Sequence, residues 1–306
     1  MINLYSNCKL CPRECGINRY NSNGFCGENS NLSINSYMLH NGEEPPISYK
    51  NGSGTIFFTG CSLKCPFCQN MQISRKNSFK KFYSLNEFVS MIEELIIMGA
   101  DNINFVTPDH FLPHIIEAVK IIKKNNIKIP FIYNCSGYQS LDNLKEAIQY
   151  IDIFLFDYKY ASNDVSSLFD VKDYFDVCNK ALSFLMKEKG NLLVDNGKAI
   201  SGTFIRHLII PNLTDNSISV INNLYFDYGI DVFFSVMSQY SPKYLIDSSN
   251  NLSFFNRHIT RDEYNKVISL IHNLNFKNCY IQDFIEKDDQ FLPNFDNKDV
   301  FKGNGK

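Results

Sequence analysis

From Thr55 onward the chain alternates short apolar runs with amphipathic stripes, and this alternation restricts the fold more than any other feature. Residues 56–58, 103–106, 129–133, 153–156, 203–210 and 232–236 read as strands, and 279–282 as a closing strand. Between them lie helical patterns. Ser84 with Glu87 forms a capping box that opens a helix with Phe88, Ile92 and Leu95 on one face, ended by Gly99. Ile115, Ile116, Val119 and Ile122 form the next stripe, residues 141–148 another helix, and Tyr174, Val177, Cys178, Ala181 and Leu185 a further face. Residues 190–198 read as a Gly/Asn/Lys loop and 217–228 as a helix. A second capping box, Thr260 with Glu263, opens a last helix carrying Val267 and Ile271. Six strand-then-helix units in series predict an α/β fold, a parallel sheet or barrel with helices outside.

In parallel α/β folds, function gathers at the carboxyl ends of the strands. Those ends carry Thr59-Gly60-Cys61, Thr107-Pro108-Asp109-His110, Asn134-Cys135-Ser136-Gly137, Asp157-Tyr158-Lys159, Asn212 and Ser238-Gln239-Tyr240. All are polar, and one leads into a cysteine loop.

The 306 residues carry a net charge of −2, which gives no support to a polyanion-binding surface. No apolar run has membrane-spanning length, and the first residues lack a secretory pattern, so a cytoplasmic protein is expected. Thiols stay reduced there, so the ten cysteines do not read as a disulfide framework. Seven of them fall within the first 68 residues, which points to metal chemistry at that end. Cys135, Cys178 and Cys279 are isolated and read as core.

Cys61, Cys65 and Cys68 follow the first predicted strand. A [4Fe–4S] cluster normally takes four thiolates, so three so closely spaced would leave one iron open to a bidentate ligand. Zinc with His110 or His114 as fourth ligand is the competing reading, nearly balanced on spacing alone. The strand–loop context and Phe67 before the third cysteine tip it toward iron. Upstream, Cys8, Cys11, Cys15 and Cys26 sit among Pro and Gly in a segment with little apolar periodicity. Such a segment buries little of its own surface and is expected to order around a second metal, zinc or Fe–S. Arg13 and Arg19 read as solvated charges. His40, His207, His258 and His272 share no nucleophile context, and Gly52-Ser53-Gly54 lacks the features of a phosphate loop. His207 should point to the helix layer, by alternation from Arg206.

Cys61-x-x-x-Cys65-x-Phe67-Cys68 resembles the signature of the radical S-adenosylmethionine (SAM) superfamily. The run from Gly54 to Asn70 resembles its pyruvate formate-lyase activating enzyme branch, and an uncharacterised activating-enzyme-like group in particular. Further likeness lies in Cys8-x-x-Cys11-Pro12-Arg13-x-Cys15-Gly16, Gly24-Phe25-Cys26-Gly27, 104–108, 133–138, Ile205-Arg206-His207-Leu208 and Met237-Ser238-Gln239-Tyr240.

The resemblance implies a partial (β/α)6 barrel over residues 51–283, preceded by a Cys-rich metal-binding segment 1–50 and followed by a tail 284–306. That tail is expected to be loose except where Phe291, Leu292 and Phe295 find a surface. The resemblance also implies reductive SAM cleavage at a [4Fe–4S] cluster to a 5′-deoxyadenosyl radical, fed by a low-potential donor such as flavodoxin or ferredoxin. Phe67 would lie beside the adenine, with Asp157, Lys159, Arg206, Ser136 and Gln239 as further SAM contacts. Many relatives carry Gly-Gly-Glu after the second strand for the SAM amino group. Thr107-Pro108-Asp109 stands there, so Thr107 and Asp109 are the candidate substitutes. A protein or peptide substrate is expected. A small metabolite or RNA, and a non-catalytic zinc-binding interaction module, are the alternatives. One barrel hosts many chemistries, so the fold does not choose among substrates.

Overall fold

The structure is a computed structural model and describes residues 2–75, 79–245, 252–286, 291–297 and 300–301. Its sheet centres on β2 (Ser53–Phe58), β4 (Ile103–Val106), β5 (Phe131–Cys135), β6 (Ile153–Asp157), β8 (Lys198–Leu208) and β9 (Phe234–Met237). These six run parallel in that spatial order, and β10 (Cys279–Ile281) adds parallel to β9. The crossovers include α3 (Leu85–Ile97), α4 (Leu112–Lys124), α5 (Leu141–Ala147), α7 (Tyr174–Glu188), α8 (Thr214–Tyr228) and α9 (Arg261–Asn273). Both expected capping boxes form: Ser84 and Thr260 accept from the backbone of Glu87 and Glu263, whose carboxylates bond back. This is the predicted α/β sheet of strand–helix units.

Parallel strands covered on both faces need apolar residues on both. In β6, Phe154 and Phe156 pack into the large core under the helices, while Ile153 and Leu155 belong to a second cluster. That second cluster also holds Ile132, Phe204 and Ile47, the last from a short helix α1 (Pro45–Ser48). Ile47 is fully buried, so the segment before the first barrel strand inserts among the inner faces of β5, β6 and β8.

Two elements depart from the expectation. Leu32–His40 forms β1, antiparallel to β2, so the sheet crosses the boundary expected at residue 50. Its Asn and Ser positions mask the alternation, yet Leu32 and Ile34 are buried in the main core. Residues 190–198, expected as a loop, contain β7 (Leu193–Asp195), joined to β8 by a turn at Asn196-Gly197 with φ of 48° and 86°. Asn-Gly between short strands suits a two-residue hairpin turn with positive φ at both positions, and that signal was readable. In the C-terminal segment, Leu292 and Phe295 are buried as expected, and Phe295 packs with Phe57, Ile73 and Val106. The remaining expected tail positions at 287–290, 298–299 and 302–306 lie outside the described residues. Among the described residues no helix is long and apolar enough to cross a membrane.

Ile47→Ala should lower unfolding free energy by about 2–5 kcal/mol, since a buried apolar side chain is replaced by a cavity. Denaturant titration checks this; a loss below about 0.5 kcal/mol would show that the inserted segment does not hold the inner cluster.

Candidate functional site

The loop leaving β2 turns at Gly60 and delivers Cys61, Cys65 and Cys68 to one cavity of about 490 Å³. Lys64 turns the loop with a φ of 54°, and Met71 N–H donating to Cys68 O begins α2 (Met71–Arg75). Leu63 N–H points at Cys61 Sγ (3.4 Å) and Ser74 Oγ at Cys68 Sγ (3.7 Å). Burial pushes the Cys61 thiol up to about 11, with Cys68 beside it adding to the shift. Burial likewise raises Cys65 to about 12, although the Lys159 ammonium opposes this. Cys135, expected as core, is buried but also lines the cavity wall.

Phe67, Thr107, Ser136, Asp157, Lys159, Arg206 and Gln239 line the same cavity. Phe67 is held edge-on by Phe169 (centroids 5.1 Å apart) and packs on Tyr240. Lys159 Nζ sits 2.5 Å from Asp157 Oδ2. Burial works against the ammonium, but the Asp157 carboxylate outweighs it and holds Lys159 above its ordinary value. Ser136 Oγ is buried and has no protein partner, which leaves it free to meet a bound molecule. Thr107 is a β-branched residue at φ 57°, a strained conformation of the kind that collects at functional sites. Gln239 is linked to Gln69 and Gln282 by amide hydrogen bonds of 3.2 and 3.0 Å.

Asp109 is not brought to the cavity. The 3-10 turn Asp109–Phe111 buries it, and Tyr133 OH donates to its Oδ1 at 2.9 Å. Its Oδ2 is buried without a protein partner, and its charge reaches the Cys61 thiol. His110 and His114 are also elsewhere: His110 Nε2 meets Thr59 O (2.7 Å) and His114 Nδ1 meets Tyr5 OH (2.7 Å). His207 faces the helix layer as expected, bridging Tyr158 O and Ser217 Oγ.

Two carboxylates that sequence reasoning missed do enter the cavity. Glu43 and Glu44, just before α1, both pair with Arg206, whose Nε donates to Glu44 Oε1 at 2.9 Å. Asn104 Nδ2 donates to Glu43 Oε1 and Ser235 Oγ to Glu44 Oε1. Burial opposes the Glu44 charge, but the Arg206 guanidinium prevails and keeps its carboxyl below the usual range. The only hint in the sequence was an acidic pair before Pro45-Pro46, in a segment with no other sign of a site.

Three thiols on one wall, an unpartnered serine hydroxyl and a paired lysine make a donor set that fits a cluster with an open iron and a polar bidentate ligand. The family model of the radical SAM superfamily matches residues 55–222, and the chain belongs to that superfamily. Membership implies a [4Fe–4S] cluster and SAM. An uncharacterized protein of Methanocaldococcus jannaschii is 29% identical over 285 residues, covering 91% of this chain and 78% of that protein. Native anSMEcpe with bound AdoMet has a similar fold, with a TM-score of 0.52 and 14% identity. That match covers 73% of this chain and spans 61% of the anSMEcpe chain. Streptococcus suis SuiB bound to precursor peptide SuiA matches at a TM-score of 0.47 and 11% identity, over 73% of this chain and 46% of that one.

Burial raises Asp109 to about 6 from an ordinary 3.8, although Tyr133 and Gln139 oppose the shift. A carboxyl whose folded pKa is raised favours folding at low pH, and the benefit fades as pH climbs through the folded value. Asp109→Asn should therefore leave stability nearly unchanged below pH 4 and raise it at pH 8, by on the order of 3 kcal/mol. Thermal melts at both pH values check the sign; lower stability at pH 8 would contradict it.

Proposed function

We propose that the chain abstracts hydrogen from a residue of a protein or peptide, in the manner of the enzymes that activate glycyl-radical proteins. The observation that supports this most is that the chain's own C-terminal segment lines part of the cavity. Phe291, Pro293 and Phe301 of the C-terminal segment form part of the wall, and Gln72 Oε1 accepts the backbone N–H of Phe295 at 3.0 Å. His40 stacks on Phe301 with centroids 4.2 Å apart. A cavity wall partly built from aromatic side chains of its own chain suits a polypeptide guest.

Cys61, Cys65 and Cys68 would hold the cluster, and Ser136, Asp157, Lys159 and Gln239 would orient SAM. When bound, these cofactors supply a low-potential electron and a carbon radical able to take hydrogen. The chain's own part is to shelter that chemistry. Phe57, Leu63, Val106, Leu208 and Met237 line the cavity with apolar surface and limit water near the reacting atoms. Phe67 is buried by its aromatic neighbours, so it can offer one face without moving. The Arg206–Glu43–Glu44 group carries more negative than positive charge and suits a cationic group on the guest.

Anaerobically reconstituted, reduced protein should be incubated with SAM and with deuterated peptide or metabolite-and-RNA fractions of a cell extract. Deuterium should appear in 5′-deoxyadenosine from the peptide fraction, and Cys65→Ala should reduce it to background. Transfer only from the metabolite-and-RNA fraction would refute the polypeptide reading. Equal transfer by Cys65→Ala would refute the role of the three cysteines.

A further inference from the structure

Arg19, expected as a solvated charge, is fully buried. Its Nη1 donates to His110 O (2.5 Å) and its Nη2 to Asn29 O (2.6 Å), while Nε has no partner. The guanidinium lies over the Tyr5 ring, 4.6 Å from its centroid, and near Phe111. Among the described residues no carboxylate pairs with it. Glu28, which feels its charge, is engaged by Lys80 (3.1 Å) and Thr59 Oγ1 (3.1 Å). His110 and His114 beside it are held neutral, as burial pushes them down to about 3 and about 4. A buried guanidinium with only neutral acceptors is costly, so an anion is called for at this place.

The groups that can become that anion are thiols. Arg19 Nη1 stands 4.0 Å from Cys8 Sγ. Cys8, Cys11 and Cys26 are buried, Cys15 is partly so, and all four are free. A Cβ on Gly24 would lie 3.2 Å from Cys26 Sγ and 3.7 Å from Cys15 Sγ, so those two sulfurs flank one point. Cys15 and Cys26 are each followed by a glycine at positive φ, Gly16 at 62° and Gly27 at 89°, turns that glycine makes without steric cost. Cys8 is tied to the same knot, its N–H donating to Ile17 O and its carbonyl accepting from Gly16. As the side chains stand, no three ligating groups among the described residues are within reach of a single ion, here or at Cys61, Cys65 and Cys68.

We propose that Cys8, Cys11, Cys15 and Cys26 hold an anionic metal–tetrathiolate centre, with Arg19 as its buried counter-charge, and that this centre fixes the loop carrying Cys61. Zinc and an iron–sulfur core share the chemistry that matters: with four thiolates either carries a net charge of roughly −2, and the thiol protons leave to solvent. The mechanical link is direct. Cys61 N–H donates to Cys26 O (3.1 Å), and Arg13 Nε donates to Ser62 O (3.1 Å). Gly60, at φ 77°, fits so closely that a Cβ there would come within 2.8 Å of Cys26 O and 2.5 Å of Glu28 Cγ. The positioning clause rests on the SAM reading of Cys61; the metal clause does not.

Full-length protein with Cys61, Cys65 and Cys68 all changed to Ala isolates the second site, whatever the fate of SAM cleavage. Stoichiometric zinc, or iron with acid-labile sulfide, should remain and should vanish on adding Cys11→Ser and Cys26→Ser; which metal is found identifies the source. Folded protein holding neither metal would overturn the proposal. In the same background Arg19→Gln should speed metal loss to a chelator by about tenfold or more, with Arg19→Lys restoring part of the retention. Equal loss rates in all three would overturn the counter-charge role, and Arg19→Lys against the parent carries the test if Arg19→Gln does not fold. For the positioning clause, restoring the three cysteines while keeping Cys11→Ser and Cys26→Ser should alter the electron paramagnetic resonance spectrum of the reduced SAM cluster. An unchanged spectrum would overturn that clause.

Discussion

Among the described residues the sheet does not pair its two ends, which leaves an inner face to be covered, and the way this chain covers it shapes everything else. The segment between β1 and β2 enters that space. Ile47 joins the apolar inner cluster, and Glu43 and Glu44 meet Arg206 from the opposite part of the sheet. Removing one partner of a buried ion group leaves an uncompensated charge, so Arg206 commits the segment to its place. Asn104 donates to the Glu43 oxygen that the guanidinium leaves open, and Ser235 to the Glu44 oxygen that it shares with Arg206 Nε. The inner space is thereby divided into an apolar part around Ile47 and a polar cavity beneath the cysteine loop.

The cysteine loop is braced from outside the barrel as well as from its own strand. Cys26 O and Arg13 bond to its backbone, and Glu28 reaches Thr59 at the end of β2. On the cavity side, Phe67 is fixed by Phe169 and Tyr240. A loop held on both faces keeps all three cysteines on the lining of one cavity without relying on its own short turns. That rigidity is what a cluster with an open position needs, since a ligand must find the same geometry each time.

The architecture was largely legible because period and punctuation agreed: the six parallel strands, both capping boxes and the cysteine loop stand where the pattern put them. Seven of the eight expected SAM contacts share the cavity with the thiols, because strand ends of one parallel sheet open to one side. Asp109 does not line that cavity because the 3-10 turn after β4 buries it, which a residue's position after a strand does not reveal. Arg19 failed because charge is normally read as exposure, and its burial depends on packing over Tyr5 and Phe111. Glu43 and Glu44 were hidden by distance, being more than 160 residues from their partner, Arg206. β1 was hidden by polar residues in a strand whose burial comes from its neighbours rather than its own composition.

The most direct test is the electron paramagnetic resonance spectrum of the reduced, iron-reconstituted protein, recorded without and with SAM labelled at the amino nitrogen and carboxylate oxygens. A reduced [4Fe–4S] signal that shifts on adding SAM and shows hyperfine coupling to both labels is the predicted result. A signal indifferent to SAM, or zinc in place of iron at Cys61, Cys65 and Cys68, would contradict the account.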